Sequence, residues 1–259
     1  APDAGDILTA RKPAMVWLES PTNPLLKVID LKKVCEAAAA ADVPVVVDNT
    51  FATALVQRPL QLGATLSLTS TTKYINGHSD ALGGAVCTDD PSWHQKMVFA
   101  QKALGLQPSP FDCWLITRGI KTLPLRLKQQ IANAAALAEH LAGHARVNWV
   151  RYPHRPDHPH RAVAMQQMSS GGAMVTIGVD ASRDLAYQVC KALRWFTMAE
   201  SLGGVESLIC HPATMTHAAV STEVKTKLGI SDGLIRLSVG CEDVSDLIAD
   251  LDQALGVLR

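Results

Sequence analysis

"VPVVVDN", residues 43–49, packs four valines into five positions and stops on an acid. Consecutive β-branched residues with no polar alternation leave no face for water. Such a run reads as a strand buried on both sides, as in a parallel sheet covered by helices. Upstream, "LKKVCEAAAAA" (31–41) is an alanine-rich helix with Asp30 placed to cap it. Before that, "AMVWLES" (14–20) is a short apolar strand closed by "PTNP". Downstream, "GATLSLTS" (63–70) and "ALGGAVCT" (81–88) are two more strands. Alternating strands and helices imply an α/β fold with a largely parallel sheet. Ligands bind such sheets beyond the carboxyl ends of the strands. Asp48 ends one strand, and Lys73 lies just past the end of another.

From about Arg118 the texture changes. "IKTLPLRLKQQIANAAALAEHLAG" (120–143) is a long amphipathic helical stretch in which Pro124 marks a kink or a restart. "VNWVRYPHRPDHPHR" (147–161) reads as a loop rich in proline and histidine. "GGAMVTIGV" (171–179) and "GLIRLSVGCE" (233–242) are strand-like, and "SRDLAYQVCKALRWF" (182–196) lies between them. "DVSDLIADLDQALGVL" (243–258) closes the chain as a capped helix. The expected division is residues 1–119 in the larger domain and 120–259 in a smaller α+β domain.

The 259 residues are 47% hydrophobic and carry 24 basic and 24 acidic side chains, so net charge is zero. A nucleic-acid groove or an anionic membrane surface normally leaves a basic excess, which disfavours both partners. No apolar run approaches the roughly 18 residues of a spanning helix. Cysteines 35, 87, 113, 190, 210 and 241 lie far apart with no CxxC pair, as expected of reduced thiols in a cytoplasmic protein. His154, His158 and His160 sit in a proline-broken segment without a partnering Cys or carboxylate pattern, so no metal site is expected. "LGGVESL" makes no GxGxxG after a strand, which argues against a dinucleotide.

"TSTTKYINGHSD" (69–80) crowds hydroxyls on one side of Lys73. Alone, a strand-end Asp is often a cap or loop acceptor, and a lysine after a Ser/Thr run is usually a surface residue. Together, Asp48 and Lys73 point to pyridoxal phosphate. The lysine would form the Schiff base, and the aspartate would keep the pyridine nitrogen protonated so that the ring acts as an electron sink. Ser70 and Thr72, two apart, share a face if the segment is extended, and could donate to the phosphate. In "LIRLSV" (234–239), Ile235, Leu237 and Val239 share one face while Arg236 and Ser238 lie on the other with Leu234. An arginine so placed suits a carboxylate ligand.

These blocks, with "ESPTNPLLKVIDL" (19–31), "AESLGGVESL" (199–208) and "HPATMTHA" (211–218), resemble the Cys/Met-metabolism family of pyridoxal phosphate enzymes in its cystathionine gamma-synthase and gamma-lyase branch. The resemblance runs from about residue 14 to the C-terminus. It implies a fold type I transferase and assigns roles by position. Lys73 is the Schiff-base lysine and proton shuttle, Asp48 pairs with the pyridine nitrogen, and Ser70 and Thr72 bind phosphate. Asn23 lies against the phenolic oxygen, and Arg236 holds the substrate carboxylate. Ser201 helps bind that carboxylate or orients Lys73, and Glu200 lines the side pocket. His78 and Asp80 become structural hydrogen-bonders of the loop, and Tyr74 packing. The implied substrates are small amino acids: an activated O-acyl-homoserine plus cysteine for a synthase, cystathionine for a γ-lyase. A non-catalytic assembly partner is the alternative from another class.

Family members also carry an upstream stretch, with a phosphate-binding helix N-terminus, that this chain does not contain. The chain opens on Ala1, and "APDAGDILTARKP" does not read as a signal peptide. The expectation is therefore that an N-terminal segment is supplied by the same or another chain, leaving the strand at "MVWL" interior. The whole would be a homotetramer of dimers with shared active sites, and these residues alone would be poorly soluble.

Overall fold

A computed structural model describes residues 4–258. Four strands form the first sheet: β1 (Val16–Glu19), β2 (Val45–Asp48), β3 (Leu66–Ser70) and β4 (Gly84–Cys87), in the order β1-β2-β3-β4. β1, β2 and β3 run parallel, with Glu19 beside Asp48 and Asp48 beside Leu68, while β4 runs antiparallel to β3. Val45, Val46 and Val47 are each 2% exposed or less, as an unbroken valine run requires. Each valine so buried contributes roughly 1.5–3 kcal/mol. α1 (Ala4–Arg11) and α2 (Leu31–Ala40) cover one face of this sheet through Leu8, Leu31, Cys35 and Ala38. Asp30 caps α2 by accepting from the Lys33 amide at 3.0 Å.

α3 (Thr53–Val56) follows β2, and α4 (Pro91–Leu104), α5 (Pro110–Ile120) and α6 (Leu123–Ala142) follow β4. Pro124 sits in the first turn of α6, where its missing N–H has no partner to lose, so it marks a restart and not a kink. The segment 147–161 is not wholly loop. Trp149–Arg151 form β5, a strand of three residues that is too short to show a period, and only the residues after it make the proline-rich loop. Then come α7 (Arg161–Gln167), β6 (Met174–Gly178), α8 (Arg183–Ala192), β7 (Thr197–Met198), β8 (Leu208–Cys210), α9 (Thr222–Leu228), β9 (Leu234–Ser238) and α10 (Val244–Leu255). The second sheet has the order β5-β6-β9-β8-β7, and α6, α8 and α10 pack on it to form the largest apolar core.

β1 pairs on one side only among the described residues, and Trp17 is 60% exposed, so the interior position expected for "MVWL" is not met within this chain. A separate core made of Leu26, Phe51, Tyr74, Leu123, Leu127, Met174 and Leu202 joins the two halves. The candidate site lies at this junction.

Asp250 on α10 anchors the turn that feeds β7. Its buried carboxylate accepts from the amides of Arg194, Trp195 and Phe196 at 2.7 to 3.3 Å. Asp250→Ala leaves those donors unpaired and should destabilise the fold by about 3 kcal/mol. A shift in the urea midpoint at constant slope measures it. A midpoint matching the parent's would show that the carboxylate is dispensable.

Candidate active site

β3 ends at Ser70, and residues Thr71–Ile75 wind into one wide helical turn. Lys73 breaks that turn, with φ −91° and ψ −129°. Its amine donates to Ser201 Oγ at 3.1 Å, across the gap between the two halves. Burial, and secondarily the positive charge of Arg236, lower the lysine's pKa below the usual range. A depressed pKa raises the neutral fraction of the amine, which is the nucleophilic and proton-accepting form.

Arg236 lies in the middle of β9 and is 1% exposed. One terminal nitrogen donates to Asn23 Oδ1 at 2.9 Å. The other donates to the carbonyls of Glu200 and Ser201, each at 3.0 Å. Its Nε is buried without a partner. Burial pulls its pKa down, opposed by weaker pulls from Cys210, Tyr74, Glu200 and Glu19. A buried guanidinium held mainly by neutral oxygens is a strong attractor for an anion.

Asp48 ends β2 half-buried, with Oδ1 accepting from the Thr50 amide at 2.9 Å. The Thr50 hydroxyl in turn accepts from the Ser70 amide at 2.8 Å and so ties the ends of β2 and β3 together. Ser70 and Thr72 do not lie on one extended face, because the strand stops between them. The Thr72 hydroxyl accepts from the Gly83 amide at 3.0 Å and donates to the Gly83 carbonyl at 3.3 Å. Thr69 and Thr71 keep buried hydroxyls without a hydrogen-bond partner. The Glu200 side chain is exposed, and only its carbonyl meets Arg236. Asn76 donates to Asp80 at 2.8 Å, and His78 Nδ1 lies 2.7 Å from the Asn76 carbonyl.

Sequence reading missed Glu19. This half-buried carboxylate sits beside Asp48 in register and accepts from the Asn23 amide at 3.2 Å. Burial pushes its pKa up, with Asp48 adding to the effect and the Asn23 amide and Arg236 opposing it. The strand-end rule that singled out Asp48 would also have found it.

His158 and His160 face the site's supporting loop. His158 Nε2 donates to the Leu26 carbonyl at 3.1 Å, and its Nδ1 accepts from the His160 amide at 3.2 Å. His160 Nδ1 accepts from the Val28 amide at 3.3 Å. Both ring nitrogens of His158 are therefore committed to the neutral tautomer.

Two parallel strands whose ends lead to an acid and an amine, with a buried arginine of the second sheet bonded to the same Ser201 as that amine, define an α/β protein with a polar site at the junction of its two sheets. The chain belongs to the Cys/Met metabolism PLP-dependent enzyme family, whose model matches residues 4–256. The cystathionine gamma-synthase of Mycobacterium tuberculosis strain H37Rv is 48% identical over 242 residues, covering 93% of this chain and 62% of that protein. The cystathionine gamma-lyase of Dictyostelium discoideum is also 48% identical, covering 94% and 63%. The crystal structure of cystathionine gamma-synthase from Xanthomonas oryzae pv. oryzae in complex with aminoacrylate and cysteine superposes with a TM-score of 0.95 at 49% identity, covering 98% of this chain and 65% of that one. The architecture is thus fold type I, and the chain spans a little over three-fifths of the length of these relatives.

Desolvation, followed by the charges of His160 and Arg151, pushes the pKa of His158 down to about 4 from an ordinary value near 6.5, against the opposing Leu26 carbonyl and Asp157. Between those values the unfolded chain binds a proton that the folded chain refuses, so stability falls as pH drops from about 6.5 to about 4. His158→Gln cannot titrate and should flatten that part of the acid limb, read as urea midpoint against pH. An unchanged slope in the variant would place the loss elsewhere.

Proposed function

We propose that this chain carries the amino-acid site of a transsulfuration enzyme of the cystathionine gamma-synthase kind. It would join an O-acyl-homoserine to cysteine and release the acyl acid. One observation carries the reading: Ser201 receives the Lys73 amine on its hydroxyl and the Arg236 guanidinium on its carbonyl, at 3.1 and 3.0 Å. The amine that would move the proton and the fork that would bind the carboxylate thus share one residue.

The residues present fit pyridoxal phosphate. The amine is held by a serine hydroxyl, Asp48 presents a carboxylate at a strand end, and buried hydroxyls surround the turn. When bound, the cofactor supplies an electron sink for the pair left at the substrate α-carbon. Asp48 would hold the proton on its pyridine nitrogen, and Asn23 would lie against its phenolic oxygen. Ser70 and Thr72 would bind its phosphate, Thr72 by releasing the Gly83 carbonyl. Arg236 would grip the substrate carboxylate and turn from the Glu200 and Ser201 carbonyls to do so. Lys73 would take the proton from Cα and then serve at Cβ, while Ser201 aims its amine. Glu200 would line the side pocket.

Residues 1–119 would form the cofactor domain's share of the chain and 120–259 the smaller domain, consistent with two separate sheets. A homotetramer with active sites shared between subunits is part of the proposal. α4 and α5 support it by exposing Phe99, Leu104, Phe111 and Trp114 at 60% or more. The six unpaired cysteines accord with a cytoplasmic location. Among the described residues no helix is long and apolar enough to cross a membrane. A γ-lyase is the second reading, favoured by a relative of that name at the same 48% identity.

The deciding assay supplies O-acyl-homoserine with cysteine, or cystathionine alone, to the cofactor-loaded protein. Cystathionine should form faster than it is broken down, and the opposite order would establish the lyase. Neither reaction would leave the assembly-partner alternative. Lys73→Ala should lose the yellow colour of bound cofactor and essentially all turnover; normal activity in that variant would remove Lys73 from the mechanism. Arg236→Lys keeps the charge but not the planar fork, so KM for the amino-acid substrate should rise roughly tenfold, equivalent to ~1.4 kcal/mol.

A further inference from the structure

The first half of α6 buries a polar stripe where an amphipathic helix would ordinarily bury leucines. Arg126, Gln130 and Asn133 are 7%, 0% and 2% exposed, and their spacing of four and three puts them on one helix face. Each donates to main-chain carbonyls of a different loop. Arg126 donates to Tyr74 at 3.0 Å, Ile75 at 3.3 Å, Asn76 at 3.4 Å and Gly119 at 2.9 Å, and its Nε donates to the Thr122 hydroxyl at 3.1 Å. Gln130 donates to Gly204 at 2.6 Å. Asn133 donates to Gly240 at 3.1 Å and Glu242 at 2.8 Å.

Those loops are the turn carrying Lys73, the segment carrying Ser201 and the exit from the strand carrying Arg236. They are also bonded to one another. The Val205 amide donates to Gly77 at 2.9 Å, and the Cys241 amide donates to Val205 at 2.8 Å. Backbone shape leaves little slack. Gly77 has φ +73°, and a Cβ there would lie 2.0 Å from an Arg126 nitrogen. Gly203 has φ +78°, and a Cβ there would lie 2.7 Å from the Tyr74 amide nitrogen.

We propose that Arg126, with Gln130 and Asn133, is the positioning element that sets Lys73 against Ser201 and Arg236. Residue 126 touches none of the groups assigned to substrate or cofactor. It acts by donating to three carbonyls at the end of the turn, those of Tyr74, Ile75 and Asn76, and to that of Gly119 on α5, which ties the turn to two helices. A lysine at 126 would keep the positive charge but has three donors instead of five and no planar fork. The turn would then relax, and the Lys73 amine would reach water and lose its Ser201 contact. The inference deepens the proposed function, because it matters to catalysis only if Lys73 is the working amine, but it can be tested without turnover.

The experiment measures acylation of Lys73 by a soluble activated ester, followed by peptide mass spectrometry, as a function of pH in the folded, cofactor-free protein. The charged group that acts on that amine is Arg236 from β9. Arg126→Lys should move the Lys73 profile toward that of an exposed lysine. Labelling at a fixed pH below the midpoint should fall about tenfold for each pH unit of the move. Leu137→Ala, a core truncation one turn beyond the stripe, should lower Tm and leave the Lys73 profile in place. Should Arg126→Lys not fold, Gln130→Met keeps the bulk, removes one bond to the Ser201 segment and should move the profile in the same direction.

Unchanged profiles in the stripe variants overturn the proposal. So does an equal move in Leu137→Ala, which would mark the stripe as ordinary core. In the loaded enzyme the stripe variants should lose kcat with KM nearly kept, because the Arg236 fork remains. Failure of the protein to process either amino-acid substrate would defeat the proposed function while leaving the labelling result to decide this one.

Discussion

Everything at the junction depends on burying one guanidinium. Removing a charged group from water costs several kcal/mol unless its donors are met. Arg236, nearly dry in the centre of β9, meets them by drawing in the Asn23 side chain from one half and the Glu200 and Ser201 carbonyls from the other. That requirement fixes the loop after β1 and the loop after β7 relative to the second sheet. Because Ser201 is so held, its hydroxyl is available to the Lys73 amine. The geometry read as a reactive site is thus a consequence of satisfying a buried cation with neutral oxygens. The Nε is the one donor atom of that guanidinium left buried without a partner.

The two positive groups then act on each other. Arg236 disfavours the protonated amine of Lys73, adding to the effect of burial, while Glu19 and Asp48 stand side by side at the strand ends. Like charges brought together cost energy that a structural core would avoid by substitution. Burial moves Lys73 and Glu19 in opposite directions, and each shift brings its group closer to neutrality.

Much of this was legible in the chain itself, for identifiable reasons. The valine run of β2 could only be an interior strand, and Asp30 and Asp243 announced their helices as side-chain caps. Arg236 betrayed itself by sitting between apolar neighbours of alternating face. The misses have physical causes as well. α4 buries no residue among those described, so no apolar stripe marked it. β5 has three residues, fewer than any period can show. Thr72 was placed on Ser70's face by assuming extended backbone, and the wide turn from Thr71 overrides that.

α6 shows where a periodicity reading stops. Its later turns bury Ala134, Leu137, Ala138 and Leu141, and the hydrophobic pattern finds them. Its earlier turns bury Arg126, Gln130 and Asn133 on the same side, and the pattern assigns those residues to solvent. Polarity is a proxy for exposure only where the facing surface is apolar. Here the facing surface is the carbonyl-rich backbone of three loops, which no apolar side chain could satisfy. A loop whose side chains are committed to chemistry cannot also use them to hold itself in place. Its carbonyls must then be met from outside, and the inward face of a neighbouring helix is the nearest rigid source of donors. Buried polar spacing at i, i+4 and i+7, next to an apolar continuation of the same face, is therefore what a helix needs where it passes from facing a sheet to facing loop backbone.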